Sequence, residues 1–323
     1  MNINKKSLIA IAAIIVLIGS YLIADSILFD GIKPIKIREN GLHANYYVQK
    51  QSQPSATVIL VGGGVWGDYW AQHLAKSGFV GLSLPYYREE GLPPLPEEID
   101  LAYFETAIKW LNQQPEVNNH KIIVMGASRN AELALVIASK FPDLVHGVVA
   151  YSPSSVSWSN TVLPFNSDTL KPSWQYNGQP IPYLAMEKIK GDNSQTLETL
   201  AYWKSGLART QDALKASIPV EQINGPILLF SGTDDQVWPS SFMANQIEKR
   251  LDNHLFSHEF QNIQYENAGH LISRNPETIS ETRTGNMTIN GKNYEFEFGG
   301  TVEGDQKAKS DAKNKLMEFL RGL

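Results

Sequence analysis

The chain has 323 residues, 42% of them hydrophobic, and a formal net charge of −5. That length supports one large globular domain or two small ones, and the negative charge argues against a nucleic-acid-binding surface. With no cysteine in the sequence, a cysteine nucleophile, thiolate metal sites and disulfides are excluded.

Lys5 and Lys6 precede an uncharged run from Ser7 to Ala24, which Asp25 closes. A membrane helix needs about 17–25 residues, whereas the apolar stretch of a signal peptide has about 7–15. The run fits the longer class, and Leu22 stands where a cleavage site ending at Ala24 wants a small residue. Residues 1–28 therefore read as an uncleaved signal anchor. A cleaved signal peptide releasing a secreted body, and a buried core helix, are the competing readings. Lys5 and Lys6 belong in the cytosol by the positive-inside rule, which puts the body, residues 29–323, on the extracytoplasmic side. Lys33, Lys36 and Arg38 on the far side work against that orientation.

Residues 32–38 and 42–48 read as strands joined at Asn40-Gly41, a pair that tolerates the positive φ of a tight hairpin. Thr57–Val61 is an unbroken apolar strand followed by Gly62-Gly63-Gly64. Residues 68–76 read as a helix capped by Asp68, and 80–84 as a strand. Leu101, Phe104, Ile108 and Leu111 give helical spacing to 99–111. A strand at 121–125, a helix at 131–139 and a strand at 145–150 follow. Continuous apolar strands alternating with helices predict a mostly parallel central sheet covered by helices on both faces.

The alternation lapses over 152–219, which holds several prolines, Trp158, Trp174 and Trp203, and no clear strand. This is too long for a plain loop in a compact domain and reads as a cap or lid insertion. The pattern resumes with a strand at 226–231, a helix at 240–251 and a strand near 263–265. A small hairpin is expected at 286–298 with Asn290-Gly291 at its turn, then a closing amphipathic helix at 307–320.

Three polar residues follow short apolar runs in the order Ser128, Asp235, His270. That order, on the strand ends of an alternating β/α chain, is the arrangement of an α/β-hydrolase. Ser128 lies between a strand and a helix, two residues after Gly126, where a sharp elbow would present its Oγ. The N–H of Arg129 is one candidate oxyanion donor, and the Gly62–Val65 loop, at Gly64 or Val65, the other. The usual elbow reads G-x-S-x-G, but here Asn130 replaces the second glycine. Asp235 is preferred over Asp234 as the acid by its spacing from Gly232. His270 follows Gly269 in a late loop, where a general base is wanted. His43, His73, His120, His146, His254 and His258 have no such context. Trp66 and Trp238 are candidates for lining an acyl pocket, with core packing as the alternative. The glycine triplet lacks both the G-x-G-x-x-G spacing and the lysine of a phosphate loop. No metal-ligand spacing stands out, and no cofactor is expected.

With those motifs in view, the chain resembles the catalytic domain of the acyl-CoA thioesterase and bile acid-CoA:amino acid N-acyltransferase family. The likeness runs from about Gly62 to the C-terminus, through VGGGVWGDYWAQHLAKSGF, LPPLPEEIDLAYFETAIKWL, GASRNAELAL, IPVEQINGPILLFSGTDDQVWPSSFMA and AGHLI. It implies a nucleophile at Ser128, an acid at Asp235 and a base at His270. Where that family carries an N-terminal β-sandwich, this sequence reads as a membrane segment and a short hairpin. Serine in place of the cysteine typical of the acyltransferase branch leans toward hydrolysis. The expected activity is thus hydrolysis of an acyl thioester or carboxylic ester, with a small-molecule substrate and the membrane as partners. Acyl transfer to an amine, and a non-catalytic binding protein on the same fold, are the alternatives.

Overall fold

In a computed structural model of the chain, residues 5–29, 32–49, 53–162, 164 and 166–323 are described. Residues 1–4 of the expected anchor, and 163 and 165 of the expected insertion, lie outside the described residues.

Eight strands form the central sheet: β1 (Ile35–Glu39), β2 (Leu42–Tyr47), β3 (Ser55–Val61), β4 (Val80–Leu84), β5 (Val117–Ala127), β6 (Val148–Tyr151), β7 (Ile227–Gly232) and β8 (Phe260–Tyr265). Their spatial order is β1-β2-β4-β3-β5-β6-β7-β8. The β1–β2 hairpin and the β2–β4 pair are antiparallel, and every later pair is parallel. Asn40 and Gly41 take φ of 52° and 76° at the hairpin, as their tolerance of positive φ predicts.

The central strands carry mostly apolar, buried stretches because both of their faces are covered. Ile59, Val61, Ile122, Val124, Ile227 and Leu229 point into one core with α3 (Ala102–Leu111), α4 (Arg129–Lys140) and α7 (Ser240–Asn253). Val58, Leu60, Ile123, Met125, Leu228 and Phe230 point into the other, with α2 (Gly64–Lys76) and α8 (Val302–Gly322). The period of two along each strand decides which residue meets which helix layer. Thr301 caps α8 by accepting the Gly304 N–H at 2.9 Å.

Several expectations are corrected. Helix α2 begins at Gly64, four residues before the expected cap, because Gly62, Gly63 and Gly64 all take positive φ and turn the chain directly from strand to helix. Asp68 lies inside the helix and accepts a bond from Asn45 Nδ2 at 3.0 Å. Helix α3 begins at Ala102, not Ile99; Ile99 and Asp100 instead pair with Trp174 and Gln175. The 152–219 stretch is not strandless, since Trp174–Tyr176 pairs with Gln179–Pro180. It also carries α5 (Thr199–Leu207) and α6 (Thr210–Lys215). Trp158, Leu184, Met186 and Trp203 bury themselves with Trp238 and Met243 in a third core. The hairpin expected at 286–298 forms at 284–297, with its turn at Asn290-Gly291.

Helix α1 (Lys5–Phe29) contains a 19-residue window, Ile9–Ile27, of mean hydropathy 2.2, none of which is buried in the body. That overturns the core-helix reading. By length and composition the helix is able to cross a membrane, and a signal sequence has the same properties.

Candidate active site

Ser128 is the single residue between β5 and α4, with φ 56° and ψ −126°. A side chain in that region costs about 1–3 kcal/mol and persists only where the surroundings impose it. Here the Ser128 N–H donates to the Tyr151 carbonyl at 2.9 Å, which holds the elbow to β6. The turn is so tight that a Cβ at Gly126 would lie 2.0 Å from the Asn130 carbonyl oxygen, so only glycine fits.

The unexpected Asn130 is accommodated by two distant residues. A Cβ at Gly62 would sit 2.1 Å from Asn130 Nδ2, so the amide occupies space that a glycine on the neighbouring loop leaves open. Asn130 Oδ1 also accepts the Tyr86 hydroxyl at 2.8 Å. Asparagine at the elbow is thus built in, and the close approach of helix to strand at Gly126 survives it.

The N–H groups in the first turn of a helix have no intrahelical acceptor. Those of Gly64 and Val65 at α2, and of Arg129 at α4, meet this condition. Val65 and Ser128 line one cavity, Arg129 and Ser128 another, and Gly64 lines neither. The Arg129 side chain is drawn away from the site. Its guanidinium pairs with Glu132, donates to Ser173 Oγ at 2.6 Å and lies 5.4 Å from the Trp174 ring centroid.

Sequence reasoning missed Glu132, which is fully buried. It accepts the Trp158 N–H at 3.0 Å and the Trp174 Nε1–H at 2.7 Å, in addition to Arg129. Burial pushes its carboxyl up, opposed by the Arg129 charge and these donors. Glu132 thus ties the elbow helix to Trp158 and Trp174. The available hint was one acid inside the otherwise apolar run of α4.

Asp235 follows β7 and is 5% exposed. Its Oδ1 accepts the N–H groups of Val237 at 2.9 Å and Trp238 at 3.2 Å. Its Oδ2 accepts Ser240 Oγ at 2.7 Å and faces His270 Nδ1 at 2.9 Å. Asp234 turns outward, to Gln236 Nε2 and the Gly300 N–H. With Nδ1 engaged, Nε2 is the imidazole nitrogen left for the cavity. The His270 main chain is fixed on both sides: its N–H donates to the Phe298 carbonyl at 2.9 Å, and its carbonyl accepts Ser152 Oγ at 3.1 Å.

Ser128 and His270 share the wall of a cavity of about 600 Å³, which Trp66 and Tyr69 also line. Trp66 is held there by an Nε1–H bond to the Ser273 carbonyl at 3.0 Å. Trp238 is corrected: it is 1% exposed and its ring stands 6.0 Å from the imidazole at 78°, behind His270 rather than in the cavity. Its partners are Trp203 and the third core. A smaller cavity of about 210 Å³ reaches Ser128 from the side of Tyr86, Asn130 and Trp174. Among the described residues no group of three His, Cys, Asp or Glu side chains is placed to hold a metal ion.

Residues 99–322 match the family described as BAAT / acyl-CoA thioester hydrolase C terminal. Acyl-coenzyme A thioesterase 1 of Rattus norvegicus is 31% identical over 300 residues, covering 90% of this chain and 65% of that protein. The mitochondrial acyl-coenzyme A thioesterase 2 of Mus musculus is 30% identical over 295 residues, covering 90% of this chain and 60% of that protein. The chain thus spans somewhat under two thirds of the length of these curated relatives. Among solved structures, the uncomplexed acylaminoacyl peptidase of Pyrococcus horikoshii superposes with a TM-score of 0.56 at 15% identity, covering 92% of this chain and 43% of that one. That last likeness concerns the fold alone. On its sequence and its α/β-hydrolase architecture, the chain belongs to the BAAT / acyl-CoA thioester hydrolase family.

Proposed function

We propose that this chain is a serine hydrolase that cleaves an acyl thioester of the acyl-CoA type, or a carboxylic ester. Ser128 Oγ attacks the acyl carbonyl while His270 Nε2 takes its proton, and Asp235 stabilises the imidazolium. The N–H groups of Arg129 and Val65 hold the oxyanion. The tetrahedral adduct collapses, His270 returns the proton to the departing thiol or alcohol, and an acyl-Ser128 ester remains. Water, deprotonated by His270, then releases the acid. The observation that carries this reading is the strained Ser128 sharing a cavity with His270, whose Nδ1 is bonded to a buried carboxylate. The smaller cavity gives the second substituent of the carbonyl a place on the other side of Ser128, under a cap formed by the 152–219 insertion.

The curated relatives support a CoA thioester. The apolar, unburied α1 supports a second reading, in which the helix is an uncleaved anchor and the body lies outside the cytosol. A body on that side meets esters and lipids rather than CoA. The test is hydrolysis by the full chain in detergent of an acyl-CoA and a p-nitrophenyl ester of one acyl chain, each with a Ser128→Ala control. Both substrates should be turned over by the wild type and neither by the variant. A large CoA preference assigns the thioester; comparable ester turnover assigns the outward-facing role. Amide product on addition of glycine or taurine would replace hydrolysis with acyl transfer. Unchanged turnover in Ser128→Ala would end the proposal.

A further inference from the structure

Glu132 stands three residues after Arg129 on α4, on the same helical face. Its carboxylate is fully buried and meets a donor at both oxygens. Oε1 accepts the Trp158 N–H at 3.0 Å and the Trp174 Nε1–H at 2.7 Å, and Oε2 accepts Arg129 Nη1. Arg129 is held from its outer side as well. Its Nη2 donates to Ser173 Oγ at 2.6 Å, and that hydroxyl donates in turn to the Trp158 carbonyl at 2.9 Å. The Arg129 side chain is therefore only 14% exposed, lying along the Trp174 ring.

The two side chains that Glu132 holds, Arg129 and Trp174, are walls of the smaller cavity that reaches Ser128, and Glu132 stands behind them. Joining a helix to its neighbours does not require a buried ion pair, since well-packed apolar side chains of similar volume do as well or better. The residues around Glu132 on α4 show this: Ala131, Leu133, Ala134 and Leu135 are buried and apolar. What an apolar residue at 132 would not do is restrain a cation next to the nucleophile. A guanidinium released from Glu132 has a cavity of about 210 Å³ to turn into, and it would take room there that a substrate needs.

Resting on the hydrolase reading above, we infer that Glu132 is a positioning residue. By holding Arg129 along Trp174 it keeps the smaller cavity open, and so sets how large a substituent of the acyl carbonyl is admitted on that side of Ser128.

Glu132→Gln isolates this role. The Trp158 N–H belongs to the main chain and cannot turn away, so the amide keeps its oxygen at the Oε1 position. Its NH₂ then faces the guanidinium, donor against donor. The substrates are four uncharged thioesters: acetyl and octanoyl chains, each on ethanethiol and on N-acetylcysteamine. Steady-state kinetics are measured on the full chain in detergent, with Ser128→Ala as the blank. Glu132→Gln should lower kcat/KM for the longer form of one substituent, relative to its shorter form, by about tenfold or more. Selectivity for the other substituent should hold. The substituent that responds, acyl chain or thiol, is the one in the smaller cavity. Ser173→Ala loosens Arg129 from its outer side while the carboxylate stays paired. It should shift the same ratio in the same direction by less, and it carries the test if Glu132→Gln fails to fold. Arg129→Met in the Glu132→Gln background removes the repelled cation and should restore the ratio. Equal losses on all four substrates, unchanged ratios, or no restoration overturn the inference. Failure of the hydrolase reading is distinct: the wild type would turn over no substrate faster than Ser128→Ala does. A crystal structure of whichever variant folds then decides. A guanidinium turned into the cavity upholds the role of Glu132, and one still lying along Trp174 overturns it.

Discussion

Asp235→Asn is the sharpest test of the proposed chemistry, because the structure dictates which way the new amide must turn. The carboxylate faces four donors, and two of them, the N–H groups of Val237 and Trp238 at 2.9 and 3.2 Å from Oδ1, belong to the main chain and cannot rotate. An amide nitrogen placed there would meet two fixed donors and leave buried groups unpaired, at about 1–3 kcal/mol. Asparagine therefore keeps its oxygen at the Oδ1 position and puts its NH₂ at the Oδ2 position, 2.9 Å from His270 Nδ1. Ser240 adapts by turning its hydroxyl. His270 has no such freedom: Nδ1 must become the acceptor, which puts the ring proton on Nε2, the nitrogen that must take the proton from Ser128. In a Ser-His-Asp triad this wrong tautomer lowers kcat about ten-thousandfold, or about 5.4 kcal/mol in the barrier. Thermal stability should change little, since the two main-chain bonds survive. The assay is kcat on the better of the two proposed substrates, together with nitrogen NMR of the imidazole to read the tautomer. Asp234→Asn is the control, with an effect of about 0.5 kcal/mol or less as for a surface substitution. The reasoning is refuted if Asp235→Asn keeps kcat within tenfold, if Nδ1 remains protonated, or if both asparagine variants lose activity alike.

Gly62→Ala should destabilise strongly, because its methyl would lie 2.1 Å from Asn130 Nδ2 and its φ is 97°; overpacking adds about 1–3 kcal/mol and the left-handed conformation about 1–2. Adding Asn130→Gly should recover the packing part alone, and strict additivity of the two in urea denaturation would contradict the proposed contact. Removal of residues 1–31 should leave a folded, soluble body, since none of the Ile9–Ile27 window is buried and Asp25 and Tyr21 reach the body at the exposed Lys33, while Ile32, 6% exposed, is retained; an unfolded or aggregated product would show that α1 is structural. Arg250 Nη2 donates to Glu221 Oε1 at 2.7 Å and holds that carboxyl below its ordinary value. The stability this supplies is present above the unfolded carboxylate range near pH ~4.3 and is lost as pH falls through the lower folded value. Glu221→Gln should therefore cost more at neutral pH than at pH ~3, and the same penalty at both values in urea titrations would contradict the assignment.

The amino-acid sequence by itself determined the features that depend on near neighbours. The hairpin turn at Asn40-Gly41 follows from local φ preferences, and the unbroken apolar strands announce a sheet covered on both faces. The order Ser128, Asp235, His270 is legible because each follows a strand, and strand ends are written locally. Spacing from Gly232 also singled out Asp235 over Asp234, and the structure supplies the geometry: one carboxylate meets the imidazole while the other turns outward. What only the tertiary structure decided involves segments far apart in the chain. Asn130 looked like a flaw in the elbow until Gly62 and Tyr86 came to rest against it. Trp238 could not be sorted from Trp66, because the same indole suits a core or a cavity until neighbours close around it. The bonds of Glu132 to Trp158 and Trp174, and of Arg283 to Asp305, are likewise products of packing. Periodicity says which face of an element is buried; only the assembled layers say which side chain on another element it meets, and so which charges are left unpaired.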